Sequence, residues 1–295
     1  IGLEPAKRGH HMTALAGPVG AAIGAGVVMN LNPAQLSAAI GLACSTASGT
    51  KSFAAGTGGG MMKRMHAGRA AEAGVRMCQL AARGFTAPPT ALDGRFGLLE
   101  VFSGQTARPE QLSSDLGKHW AVEQVYVKVY PCCAWIQAMV QQLVASRGPR
   151  PLEPRHVKKV QIGLCSYAVR NNGNVAPPDT MGAQYSLPYC AALALTADPS
   201  DPANYAPDAI DEPSRRELAR RVELVVECLR EDRDFLHEDL DALGDNGVFD
   251  ELADLRAAVG DVEGVVAEAG ASGLSDLAEP AGVLDVGKCS RIGEE

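Results

Sequence analysis

Apolar positions along the chain fall into two regimes. Over residues 13–82 they are dense, dominated by Ala, Gly, Leu and Met and free of β-branched alternation, which predicts tightly packed, mostly buried helices. Asn32-Pro33 sets a capping residue before a proline suited to a first helical position, so a helix is expected over residues 34–47. Another is expected from His66 or Ala67 to Arg83, with Gly84 closing it. After Gly117 the pattern changes. Residues 122–130, 156–165 and 222–228 alternate and predict strands, with helices over 134–147 and 183–197 between them. The Pro-rich runs at 148–151 and 176–179 read as connectors. The expected fold is mainly α with a second α+β domain: a helical domain over residues 1–118, an α+β domain over 119–230, and an acidic segment over 231–295 carrying short helical patterns at 252–259 and 262–269.

Composition narrows the class. With 295 residues, 46% apolar and 21% charged, the chain can bury one substantial core or two modest ones, which excludes disordered, collagen-like and coiled-coil proteins. Its apolar runs are broken by Gly, Pro and Asn and fall short of the roughly 18 uninterrupted residues a membrane span needs. No export leader opens the sequence, so a soluble, cytoplasmic protein with no membrane partner is expected. The net charge of −8 hides an asymmetry: residues 231–295 hold 18 Asp and Glu against 4 Lys and Arg, or −14, whereas the preceding part holds 23 basic against 17 acidic residues, or +6. A mildly cationic body suits small anions. Nucleic acid is not an expected partner, because Lys and Arg form no stripe interleaved with aromatics. The eight cysteines lie mostly in apolar runs without a C-x2-C pair, and read as buried free thiols with no structural metal.

Chemistry concentrates in a few places. In Gly58-Gly59-Gly60-Met61-Met62-Lys63-Arg64-Met65-His66, a helix starting here would set Lys63 and His66 on one face beside free backbone N–H groups, a receptor for carboxylates; the plainer alternative is a glycine loop with solvated basic residues. It is not a P-loop, since Lys63 follows two Met and no Ser or Thr follows it. Gly9-His10-His11 precedes the first helix, where an imidazole could act as acid or base or simply be exposed. Lys128 ends an expected strand, and Tyr185 and Tyr189 open an expected helix, where core packing is the usual role of tyrosine.

In combination these elements resemble the MmgE/PrpD family. The resemblance rests on Gly9-x-His11-x-Thr13, Ala47-Ser48-Gly49, Lys63-Arg64-x-His66-x-Gly68-x-Ala70-Ala71, residues 80–86 and 92–97, Lys128-x-Tyr130-Pro131-Cys132-Cys133 and Gln184-Tyr185-Ser186-Leu187-Pro188-Tyr189, in that order over roughly residues 5–230. It implies a large helical domain joined to a smaller α+β domain in a homodimer. It also implies cofactor-independent chemistry on small di- or tricarboxylates, in a cleft between the domains. The family includes 2-methylcitrate dehydratase, cis-aconitate decarboxylase and iminodisuccinate epimerase. Carried over, His11 and Lys63 match the active-site His and Lys, with His66 in the same motif. Tyr189 matches a later tyrosine, with Tyr185 the alternative. We therefore expect His11, Lys63, His66 and Tyr189 to be catalytic and Arg64, Lys128 and Tyr185 to bind substrate, with no cofactor. A lyase is the leading expectation; an epimerase or isomerase, or a non-catalytic carboxylate-binding subunit, are the alternatives. The chain departs from the pattern in three respects, one being that residues 231–295 do not read like the family's usual C-terminal segment. A longer helical portion, with acidic residues and another histidine, is implied ahead of Gly9, and Gln137 stands where a histidine commonly follows the Pro-Cys-Cys element.

Overall fold

The computed structural model describes residues 4–55, 58–104, 107–226 and the short strand 284–286. Most of the acidic segment, with its expected helical patterns, lies outside the described residues. The chain divides into two compact units, one comprising residues 1–53 and 61–126, the other residues 54–60 and 127–295. Among the described residues, no helix is long and apolar enough to cross a membrane.

The first unit is helical: α1 (Glu4–Lys7), α2 (Met12–Val28), α3 (Pro33–Cys44), α4 (Met62–Ala82) and α5 (Leu98–Ser103). Asn32 and Gln35 form a reciprocal capping box at the start of α3, with Pro33 in the first turn. This agrees with expectation, although α3 stops at Cys44. Helix α4 begins at Met62, earlier than expected. It closes as anticipated: Gly84 (φ +90°) and Phe85 return their N–H groups to Ala81 and Leu80 in a Schellman motif. Small residues let α2 and α4 pack at close range. A Cβ on Gly74 would lie 2.4 Å from that of Ala21, one on Gly17 would lie 2.7 Å from that of Ala70, and the Cys78 thiol reaches the Ala22 carbonyl at 3.1 Å. These pairs advance in step, so the two helices run side by side in the same direction and their N-termini converge. The helices are less buried than their composition suggests: Ile23, Val27 and Val28 face outward at 44%, 65% and 81% exposure.

The second unit has a three-stranded parallel sheet in the order β2-β1-β3, with β1 (Val160–Leu164) between β2 (Val222–Val226) and β3 (Leu284–Val286); Ile162 pairs with Leu224 and with Val286. Between β1 and β2 the chain forms α7 (Ser166–Asn172), α8 (Thr180–Gln184), α9 (Leu187–Thr196), α10 (Pro207–Ile210) and α11 (Pro213–Arg220), while α6 (Gln137–Arg147) precedes β1. Every residue from Leu187 to Leu195 is buried, and α9 forms the centre of a core shared with Val160, Ile162, Val140 and Leu218.

Three expected elements are corrected. Residues 122–130 do not form a strand: a 3-10 turn occupies Ala121–Gln124, and Val122, Val125, Val127 and Val129 are 67–92% exposed. Alternation makes a strand only where a neighbour completes its hydrogen bonds, and among the described residues no strand pairs with this segment. The strand expected at 156–165 shortens to Val160–Leu164 because a 3-10 turn led by Pro154 precedes it. The single helix expected over 183–197 is two helices. Ser186 caps α9 by accepting from Tyr189 N–H at 3.0 Å, and Pro188, lacking an N–H, cannot extend the ladder of α8.

Two glycines of α4 should respond oppositely to the same change. Gly74→Ala should cost about 1–3 kcal/mol by forcing α2 and α4 apart. Gly68→Ala, with nothing within 4 Å of the added Cβ, should gain about 0.5–1 kcal/mol from helix propensity. Urea unfolding of both variants measures the pair.

Candidate active site

The convergence of α2 and α4 brings two imidazoles together. His11 is the N-cap of α2, and His66 lies one turn into α4, where it is 5% exposed. Their Nδ1 atoms are 2.7 Å apart, so one ring donates and the other accepts, and the pair shares a proton. A short antiparallel bridge fixes His11 from the other side. Its N–H donates to the Gly49 carbonyl at 3.0 Å, His10 pairs with Thr50, and Lys51 N–H donates to the Gly9 carbonyl at 2.7 Å. Gly49 must lack a side chain, since a Cβ there would lie 2.4 Å from that of Ala14 and 3.5 Å from the His66 ring. The glycine of the Ala-Ser-Gly motif is thus explained by the close approach of Ala14 at the start of α2.

Phe53 walls the pair, edge-on to His11 at 5.0 Å between centroids and 5.9 Å from His66. Lys63 Nζ stands 5.8 Å from the centre of the Phe53 ring, within reach of a cation–π attraction. Burial, together with the charge of His66, Lys63 and Lys51, lowers the His11 pKa from 6.5 to about 4. At neutral pH His11 is therefore an uncharged base. If its Nδ1–H donates to His66, its Nε2 keeps a free lone pair for a substrate proton. The cations and two helix N-termini around it favour an anionic partner. Among the described residues, no group of three or more His, Cys, Asp or Glu could hold a metal ion.

The first unit thus gathers His11, Lys63 and His66. Arg64 is exposed on α4, two residues and so about 200° around the helix from His66. The other expected site residues belong to the second unit. Lys128 donates to the Cys132 carbonyl at 3.2 Å. Tyr185 is half-buried, and burial, reinforced by Cys133, raises its phenol pKa. Tyr189 is 1% exposed. Its hydroxyl donates to the Asn204 carbonyl and receives Arg215 Nη1 at 3.3 Å, and burial raises its pKa more than Arg215 lowers it. Sequence reasoning missed Lys51 and Phe53; both lie just after the Ala47-Ser48-Gly49 motif, and only the 9–51 bridge reveals them. Gln137 is a clamp: its side chain binds both the N–H and the carbonyl of Tyr130, at 3.1 and 2.9 Å, and so fixes the turn into Pro131-Cys132.

The first unit thus carries a histidine pair flanked by lysines on a helical platform, and the second unit is α+β. The chain belongs to the MmgE/PrpD family: the MmgE/PrpD N-terminal domain matches residues 2–111 and the C-terminal domain matches residues 130–238. It is 25% identical over 237 residues to a cis-aconitate decarboxylase of Aspergillus terreus (strain NIH 2624 / FGSC A1156), covering 75% of this chain and 48% of that protein. It is also 25% identical over 224 residues to the cis-aconitate decarboxylase-like protein oryM of Aspergillus oryzae (strain ATCC 42149 / RIB 40), covering 71% and 46%. The chain spans about half the length of these relatives.

The lowered His11 pKa sets a sign for acid stability. Between pH 6.5 and about 4 the unfolded chain binds a proton at His11 that the folded chain does not, so stability falls as pH falls through this window. His11→Asn should flatten that part of a plot of melting temperature against pH, and a slope unchanged by the substitution would assign the acid sensitivity elsewhere.

Proposed function

We propose that this chain carries the acid–base centre of a lyase that removes water or CO2 from a small di- or tricarboxylate, using side chains alone. The observation that carries this reading is the His11–His66 pair at 2.7 Å beside Lys63 and Lys51, with His11 held uncharged. In a dehydration, His11 Nε2 takes the proton next to a carboxylate, the C–H electron pair passes through that carboxylate into the new C=C bond, and the hydroxyl leaves as water with the proton that His11 gives back. In a decarboxylation, CO2 leaves, the electron pair of the broken C–C bond stays on the unsaturated acid, and the Lys63 ammonium gives that carbon a proton which solvent then restores. Both paths build negative charge, which fixed cations and helix-end amides stabilise without reorganising. His66 orients His11 and shares its proton, and Lys63 clamps a carboxylate. Tyr189, its hydroxyl already bound to backbone and Arg215, serves the core of the second unit in this reading.

The related cis-aconitate decarboxylases favour the lyase. The uncharged His11 equally suits an epimerase, which would return the same proton to the opposite face. A second copy of the chain belongs to this reading too. The outward Ile23, Val27 and Val28 support it, and sedimentation at twice 30.8 kDa is the expected result.

The test is proton NMR of the protein in deuterated buffer with cis-aconitate, 2-methylcitrate, citrate and aspartate-derived acids. Loss of water or CO2 supports the lyase, and deuterium uptake without loss supports the epimerase. Lys63→Ala and His11→Asn should each lower kcat/KM by about 100-fold or more without changing the fold. Activity of Lys63→Ala equal to wild type would remove Lys63 from the mechanism, and no change with any acid would favour a non-catalytic binding subunit.

A further inference from the structure

The hydrogen bond of the histidine pair joins Nδ1 to Nδ1, at 2.7 Å, with the ring centroids 4.9 Å apart. Nδ1 is the ring nitrogen nearer the backbone, so the contact needs two backbones brought close, which the small-residue stripe of α2 and α4 provides. Its consequence is tautomeric. A neutral imidazole carries one N–H, so two neutral rings bonded through Nδ1 must be opposite tautomers: the donor keeps a bare Nε2, and the acceptor has its proton on Nε2. Among the described residues neither Nε2 makes a hydrogen bond. The pair therefore offers one base and one acid. Burial separates their parts, since His66 is 5% exposed, whereas His11 is half-buried at the head of α2 and is the ring a substrate reaches. Phe53, itself buried, stands against both rings. His11 alone would be a poor base. Burial and the charges of His66, Lys63 and Lys51 disfavour its cation and bring its pKa to about 4, so it holds a proton far less tightly than an ordinary imidazole. That penalty falls only on a charged His11. A ring that gives up its Nδ1 proton as it takes one at Nε2 never becomes charged.

We propose that the pair is a two-ring proton relay: as His11 Nε2 takes a proton, the His11 Nδ1 proton crosses to His66 Nδ1, so that His11 stays uncharged and the imidazolium forms on His66. One proton arrives at His11 Nε2 and one crosses between the Nδ1 atoms. His66 then holds two N–H bonds and one positive charge, and His11 is left as the opposite tautomer, accepting at Nδ1. Return of the proton from His11 Nε2 to a departing hydroxyl reverses both transfers. His66 acts through His11, as the acceptor that makes a ring unable to hold charge an effective base. The relay stands on the Nδ1–Nδ1 contact; its use in turnover rests on the lyase reading above.

Nitrogen NMR of the full chain with 15N-labelled histidine reads each ring nitrogen separately. At neutral pH His11 should carry its proton on Nδ1 and His66 on Nε2, with a scalar coupling between the two Nδ1 nuclei across the hydrogen bond. On acidification, the first proton taken by the pair should convert His11 to the Nε2–H tautomer and make His66 the ring with two N–H groups. A first proton that leaves His11 doubly protonated would overturn the relay, as would a pair that separates on protonation or a His11 that carries its proton on Nε2 at neutral pH. His66→Asn separates relay from orientation, because the asparagine oxygen can accept from His11 Nδ1–H but cannot take the proton. With 2-methylcitrate as probe, kcat for water loss should fall about 100-fold or more in His66→Asn, with KM within about threefold and His11 still protonated on Nδ1. A kcat within about threefold of wild type in that variant would reduce His66 to an orienting role and overturn the use of the relay in turnover. Failure of the wild-type chain to dehydrate 2-methylcitrate would instead count against the dehydration in the lyase reading, while the titration of the wild-type chain would still decide the relay.

Discussion

The approach of α2 to α4 is the constraint on which the rest of the candidate site depends. Two helices come this close only where side chains are nearly absent, and Gly17, Ala21, Ala70 and Gly74 supply that absence along one shared stripe. Because the helices run the same way, a contact that starts as backbone packing at Gly74 ends as a hydrogen bond between imidazoles at His11 and His66. It also brings two helix N-termini to one place, which gives the region a positive field before any lysine is counted.

Electrostatics then follow from position. His11 lies where burial and three neighbouring cationic or imidazole groups, His66, Lys63 and Lys51, all disfavour its protonated form. An uncharged base among cations is the state in which a histidine can accept a proton while its surroundings bind an anion. The second unit answers different demands. Tyr189 and Tyr205 donate to backbone carbonyls inside an apolar core, Arg215 Nη1 reaches Tyr189 and the Ala209 carbonyl while its Nε is buried without a partner among the described residues, and Gln137 holds the Tyr130 turn with both ends of its amide. Where burial is complete, polar groups must be used up internally, which leaves Tyr189 with no hydroxyl to spare.

Much of this was legible in the sequence. The Ala- and Gly-rich run announced close helix packing, Asn32-Pro33 and Gly84 marked helix ends, and the ordered motifs from Gly9 to Tyr189 led to the family and to His11, Lys63 and His66. Local chemistry sets these features, since capping, small-residue faces and the periodicity of 66, 70, 74 and 78 act over a few residues. The failures were also local. Alternation at 122–130 looked like a strand because periodicity cannot report whether a neighbouring strand is present, and the apolar run at 183–197 hid a helix break whose signal was Ser186 followed by Pro188.

What the tertiary structure alone decided is which distant residues meet. The sequence by itself determined that the chain carries a histidine at the head of one helix and a lysine and a histidine near the start of another. It could not determine that the two imidazoles share a proton, that Lys51 and Phe53 join them, or that Asp179, 119 residues beyond Gly60, occupies the glycine-loop amides. The physical reason is the same in each case. Hydrogen bonds and electrostatic shifts act over a few ångströms in space, and folding makes near neighbours of residues that the chain places far apart.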